Sequence, residues 1–151
     1  MNIQYREISF VEFTTLDCAT LFYEDKTAIR FGVITNGVKN YKFSWQSDLI
    51  TPVLMVSESN MMCYLGVDLM FSVIDFTETA FTYTLQLNCF FYDIISIERR
   101  IWVITELEIL VIDKINHRIV KTISLPSYFK EIISPPPTVT IECLDGEICI
   151  A

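Results

Sequence analysis

Residues 101–125 read IWVITELEILVIDKINHRIVKTISL, and residues 63–87 read CYLGVDLMFSVIDFTETAFTYTLQL. The two stretches are copies of one pattern. Tyr64 falls on Trp102, Val73-Ile74-Asp75 on Val111-Ile112-Asp113, Thr84-Leu85 on Thr122-Ile123 and Leu87 on Leu125, at a constant offset of 38 residues. The offset continues to the end of the chain, where Val111-Ile112 lands on Cys149-Ile150. A fixed period of about 40 residues, made of short strand-like runs, is the signature of stacked four-stranded blades.

The copy at 101–125, with the run before it, spells out one blade. Tyr92–Glu98 alternates and forms the inner strand, and Arg99-Arg100 turns the chain. Ile101–Thr105 is the second strand, and Glu106–Glu108 reverses it. Ile109–Lys114 is a nearly continuous apolar run, as expected of a strand packed on both faces. Asn116-His117 makes the next turn, Arg118–Leu125 is the outer strand, and Pro126 stops it. The preceding blade follows the same plan with Pro52–Val56, Met62–Val67, Met70–Asp75 and Ala80–Leu87. In the last blade Lys130–Ser134 is inner, Pro135-Pro136-Pro137 replaces a turn, Thr138–Leu144 is second and Glu147–Ile150 third, with Asp145-Gly146 as a hairpin signal. No outer strand follows. The first blade is less regular: Ala19–Tyr23, Thr27–Ile34 and Lys39–Trp45 read as strands around an Asn36-Gly37 hairpin, and Ile3–Phe13 must add one or two more.

The expected fold is therefore all-β, an open half-propeller arc of about three and a half four-stranded blades. The blades fall at about 1–47, 48–87, 88–125 and 126–151 of a single domain. The alternative is closure by an N-terminal strand that completes the last blade. No stretch sustains a 3.6-residue period, so no helix is expected.

Composition narrows the function. Of 151 residues, 52 % are apolar, enough for a sizeable core, and the eleven Phe and seven Tyr favour strands. The net charge is −8, opposite in sign to what phosphate neutralisation requires, so nucleic-acid binding is not expected. An acidic surface suits a basic protein partner. The five cysteines are odd in number and contain no C-x-x-C, which reads as reduced core thiols. With one histidine, His117, a zinc site is not expected, and the turns lack the alternating acids of a calcium loop. Met1–Phe10 has no secretory pattern, and the longest uncharged stretch, Thr79–Tyr92, has 14 residues where a spanning helix needs about 20. A cytoplasmic, soluble protein is expected.

Within this blade plan the acids fall in a pattern. The start of an inner strand and the second-to-third turn lie at the same end of a blade. Asp68, Glu106 with Glu108, and Asp145 with Glu147 occupy those turns. Asp93 and Glu131 sit at inner-strand starts, and Glu24-Asp25 at the corresponding turn of the first blade. The acids are thus expected on one rim, with Arg99, Arg100, His117 and Arg118 on the other. Turns favour acids in any case, but repetition at equivalent corners favours a binding face. Tyr128 and Phe129, entering the last blade on the acidic rim, are candidate aromatic anchors. Trp45 and Trp102 read as blade-packing residues, and Asp75 and Asp113 as turn-stabilising ones. No nucleophile elbow accompanies His117, so no catalytic residues are assigned and no cofactor or small-molecule substrate is expected.

The strand-rich units, best seen in Ile101–Leu125, resemble propeller blades. A small, acidic, cysteine-reduced half-propeller also resembles the immunity proteins of bacterial contact-dependent growth inhibition systems. That resemblance rests on architecture, size and charge, and no residue roles are carried over from it. It implies a non-catalytic inhibitor that covers the basic active-site cleft of a cognate ribonuclease toxin domain. The competing reading is a generic protein-interaction scaffold or a fragment of a larger propeller.

Overall fold

A computed structural model of the chain describes residues 2–77, 81–136 and 138–151. Among these, fifteen strands form four separate sheets, three of four strands and one of three. The all-β expectation is met. The chain divides into two compact units, Met1–Gln86 and Leu87–Ala151, each holding two sheets.

In the first unit, β1 (Gln4–Ile8), β2 (Ala19–Phe22), β3 (Arg30–Thr35) and β4 (Asn40–Trp45) form one sheet. The second sheet is a meander of β5 (Val53–Val56), β6 (Met62–Val67), β7 (Met70–Asp75) and β8 (Thr82–Gln86). The expected outer strand began at Ala80, which lies outside the described residues. In the second unit, β9 (Phe91–Ile97), β10 (Arg100–Thr105), β11 (Glu108–Asp113) and β12 (Ile119–Ser124) repeat the meander. Three strands follow, β13 (Phe129–Ser134), β14 (Thr140–Cys143) and β15 (Ile148–Ile150), so the last sheet lacks an outer strand. Of the three prolines expected in place of a turn, Pro137 lies outside the described residues.

The 38-residue offset is realised as identical strand register. Met62 pairs with Asp75 and Arg100 with Asp113; Tyr64 pairs with Val73 and Trp102 with Val111. Outer strands agree from Phe71–Leu85 and Ile109–Ile123 as far as Val73–Tyr83 and Val111–Lys121, beyond which a bulge sets Ile112 opposite Ile119 where Ile74 faces Thr82. Inner strands keep the same face but shift by two residues, since Val56 pairs with Cys63 while Ser96 pairs with Ile101. An even shift preserves which side chains point inward. The turn lengths explain it: residues 57–61 separate β5 from β6, whereas Glu98 and Arg99 alone separate β9 from β10.

The first sheet departs from the expected plan in two ways. Its order is β1-β3-β4-β2, and β2 runs parallel to β4. The chain must therefore cross the sheet between β1 and β2, and a parallel connection needs a long crossover, commonly helical. The crossover contains α1 (Phe10–Thr15), where no helix was expected. Ser9 caps it, its hydroxyl accepting from the Glu12 amide at 3.1 Å. Ser9-x-x-Glu12 is the sequence form of a capping box, but six residues are too few to display a period. The helix buries Phe13 with Ile8, Phe31 and Val33 on one face of the sheet. The opposite face, with Ile34, Phe43 and Trp45, packs on Cys63, Leu65 and Ile74 of the second sheet. In the second unit, Trp102, Ile104, Ile109 and Val111 pack on Phe129, Ile141 and Cys143.

Asp75 and Asp113 hold turns, as expected. The Asp75 carboxylate accepts from the Thr77 amide, and Asp113 from the amides of Ile115 and Asn116 and from the Arg100 guanidinium. The Ile115 and Asn116 amides, with Arg100 beside them, hold the Asp113 carboxyl below the usual carboxylate range. A carboxyl depressed in the folded state adds stability above its unfolded value, and that stability is lost as pH falls through the folded value. Glu7, beside Arg30, and Glu12, beside Arg6, act in the same direction. The urea midpoint should therefore fall between about pH 5 and about pH 2. Asp113→Asn should remove part of that fall; an unchanged pH profile in the variant would show that Asp113 does not contribute.

All five cysteines are free, with Cys63 and Cys143 buried. Burial pushes the Cys63 thiol up to about 12, so this sulfur is a packing group, not a nucleophile.

Candidate protein-binding surface

At one end of the second unit, four backbone segments meet. The β10–β11 turn is tied to the entry of β9 by Glu106 N–H to Phe90 O at 3.0 Å and to β13 by Phe129 N–H to Glu106 O at 2.7 Å. The β14–β15 turn joins them through Leu144 N–H to Tyr128 O at 2.8 Å. Thr105 closes its own turn, its hydroxyl donating to Glu108 O and accepting from Glu108 N–H. At the Asp145-Gly146 hairpin, Gly146 takes a φ of 88°, a conformation open to glycine, and Asp145 accepts from the Glu147 amide.

This end gathers Glu106, Glu108, Asp145, Glu147 and Tyr128, and Asp93 lies just inside β9. Asp145 and Glu147 are exposed, and Tyr128 is 51 % exposed. Glu106 and Glu108 are half-buried, and each spends an oxygen on the neighbouring segment: Phe90 N–H to Glu106 at 3.2 Å and Asn88 Nδ2 to Glu108 at 3.4 Å. Asp93 is half-buried and accepts from the Ile94 amide. Glu131 is exposed but faces Glu142 across the strand pair, and Lys130 lies 4.0 Å and 3.2 Å from the two carboxylates. That ammonium offsets a like-charge cross-strand pair.

Two expected contact residues are placed otherwise. Phe129 is buried, not exposed. It opens β13 opposite Cys143, alternation turns it inward, and Tyr92 packs edge-on at 5.2 Å. Asp68, in the first unit, is 4 % exposed. It occupies the β6–β7 turn with a φ of 50°, and Oδ2 accepts from the amides of Gln46 and Ser47 at 2.8 and 3.2 Å. It anchors the linker after β4 instead of facing solvent. Glu24 and Asp25 are exposed in the β2–β3 loop, and Glu24 lines one cavity with Asp68.

Sequence reasoning missed the apolar part of the acidic end. Phe90 is 45 % and Tyr92 57 % exposed, with Leu107 and Leu144 exposed beside them. One local signal was available: Leu107 sits at a turn apex between two glutamates, a poor place for an isolated leucine. Arg99, Lys114, His117 and Arg118 lie at the opposite end of the unit, where Lys114 N–H donates to Arg99 O. The second unit is thus polarised along its strands.

No protein-family model matches the chain, and no curated protein matches it. Among solved structures, the chain is similar to apo AztD from Citrobacter koseri, with a TM-score of 0.52 and 11 % identity. The match covers 82 % of this chain and 38 % of AztD, so the chain spans well under half of that protein's length. At this identity the likeness concerns the fold alone: a blade-like arrangement of small, mostly antiparallel sheets.

Proposed function

We propose that this chain is a non-catalytic binding protein that presents the acidic, aromatic-bearing end of its second unit to a basic protein. As the specific case we propose a cytoplasmic immunity protein that covers the active-site cleft of a ribonuclease toxin domain. The observation that carries the reading is the coincidence of exposed Phe90, Tyr92 and Tyr128 with Asp145 and Glu147 at one end of the unit. Aromatic anchors ringed by charge are the usual composition of a binding hot spot. The net charge of −8 favours fast association with a cationic partner. A second reading, a generic protein-interaction scaffold or a fragment of a larger propeller, rests on the blade-like repeat, a fold that serves many unrelated functions.

The test is a search for a basic ribonuclease toxin domain encoded beside this chain, followed by binding kinetics against it at two ionic strengths; the absence of any such toxin gene would count against the immunity reading. Asp145→Lys combined with Glu147→Lys should slow association about tenfold at low salt and reduce its salt dependence. Tyr128→Ala should act on dissociation instead, by about tenfold or more. Exposed charges contribute little to folding, so the urea midpoint should hardly move. An unchanged association rate with full protection from the toxin would place the interface elsewhere.

A further inference from the structure

In the second unit, the sheet β13–β14–β15 ends on β15. Its ladder with β14 runs beyond the strand itself. Cys143 N–H donates to Glu147 O at 2.9 Å and Ala151 N–H to Val139 O at 2.8 Å, with Ile141 opposite Cys149 between them. Residues of that parity spend their backbone groups on β14. In an antiparallel pair the alternate residues point theirs the other way. Those are Ile148 and Ile150, whose N–H and C=O groups have no partner among the described residues. Side chains alternate too. Cys149 shares the face of buried Ile141 and packs on the core, so Ile148 and Ile150 lie on the outer face, 52 % and 71 % exposed.

An open strand edge is a template for another strand, and native proteins blunt such edges with charge, proline or a bulge. The other edge strands of the unit are blunted. β12 carries Lys121 and a bulge in its pairing, β9 carries Asp93 and a bulge, and β13 carries Lys130, Glu131 and two irregularities. β15 is Ile148-Cys149-Ile150, uncharged and in unbroken register. The charge lies beside it instead. Asp145 and Glu147, in the hairpin that feeds β15, are exposed and form no ion pair among the described residues. Glu142 stands opposite Ile148, and Lys130 is already shared between Glu131 and Glu142.

We infer that the β15 edge takes up, antiparallel, an extended segment of a partner protein with apolar residues at alternate positions and lysine or arginine at its ends. Its backbone pairs with Ile148 and Ile150, its apolar side chains lie beside theirs, and its cations meet Asp145, Glu147 and Glu142. Strand addition draws affinity from main-chain bonds and selectivity from alternate side chains. The inference rests on the reading that the partner is a basic protein, and it extends the binding face from Asp145 and Glu147 along the hairpin to the strand edge.

The test is a titration of the 15N-labelled full chain with the capped peptide Lys-Thr-Val-Thr-Val-Thr-Lys, followed by amide shifts and hydrogen exchange. Exchange should slow at Ile148 and Ile150 and hardly change at Cys149, whose amide already faces β14. The same peptide N-methylated along its central residues keeps its side chains and charge but loses its donors, and should bind about tenfold more weakly. Glutamates in place of its lysines should weaken binding by about tenfold at low salt. Ile150→Pro removes an outward N–H, leaves the ladder to β14 in place, and should abolish the slowing. The absence of a saturable shift, equal binding of the methylated or the glutamate peptide, or undiminished binding by Ile150→Pro overturns the inference. So does a native chain that sediments as a dimer with Ile148 and Ile150 already protected, since a second copy is then the occupant. If Ile150→Pro does not fold, the methylated peptide on the native chain decides. A toxin domain that binds the native chain and Ile150→Pro alike overturns the edge and leaves the acidic, aromatic end standing. Peptide binding without toxin binding leaves the edge standing and overturns the immunity reading.

Discussion

Phe43→Ala should lower the stability of the first unit by about 3–5 kcal/mol. Phe43 is fully buried and touches three other rings, with centroids 5.9 Å from Tyr5, 5.4 Å from Phe22 and 5.5 Å from Trp45. Its own strand partner is Gly32. A Cβ built on Gly32 would lie 2.7 Å from Phe43 Cζ and 2.8 Å from Tyr5 Cε2. The glycine thus leaves room for the ring to lie across β3, and truncation opens a cavity that three packed aromatics cannot easily collapse into. Gly32→Ala should also destabilise, although alanine usually improves on glycine in a strand. Denaturant titration followed by Trp45 fluorescence, in a Trp102→Phe background, reads the first unit. A loss under about 1 kcal/mol for Phe43→Ala would mean the aromatic cluster carries little of the core.

Ile112→Ala should cost the second unit about 2–5 kcal/mol, as lost transfer energy plus a cavity. Ile112 is fully buried in β11, paired with Ile101 on one side and Ile119 on the other. Its strand neighbours Leu110 and Val111 are buried as well, so β11 is covered on both faces. Trp102, opposite Val111, is the natural reporter. A change under about 0.5 kcal/mol would show that the strand relaxes around the loss.

The contrast between the two units shows what a repeat makes legible. The β6–β7–β8 and β10–β11–β12 registers follow from local features: short runs of fixed parity, joined by tight turns that leave one way to pair. Asn36-Gly37 and Asp145-Gly146 were readable for the same reason, since few residues accept a positive φ. The rim position of Asp145, Glu147 and Tyr128 followed from their place in that plan.

The sequence by itself determined the all-β class, the repeated register, the partition into sheets and the charge of the turns. These depend on neighbours along the chain and across one hairpin. Tertiary structure alone decided that β2 runs beside β4 and that α1 covers one face of the first sheet. It also decided that Phe129 is buried, that Phe90 and Tyr92 are exposed, and that Asp68 turns from a rim acid into a buried anchor. Each of those outcomes depends on which distant segment covers a side chain or supplies its hydrogen-bond donor. Parity and turn chemistry say which way a residue points, but not what it meets there.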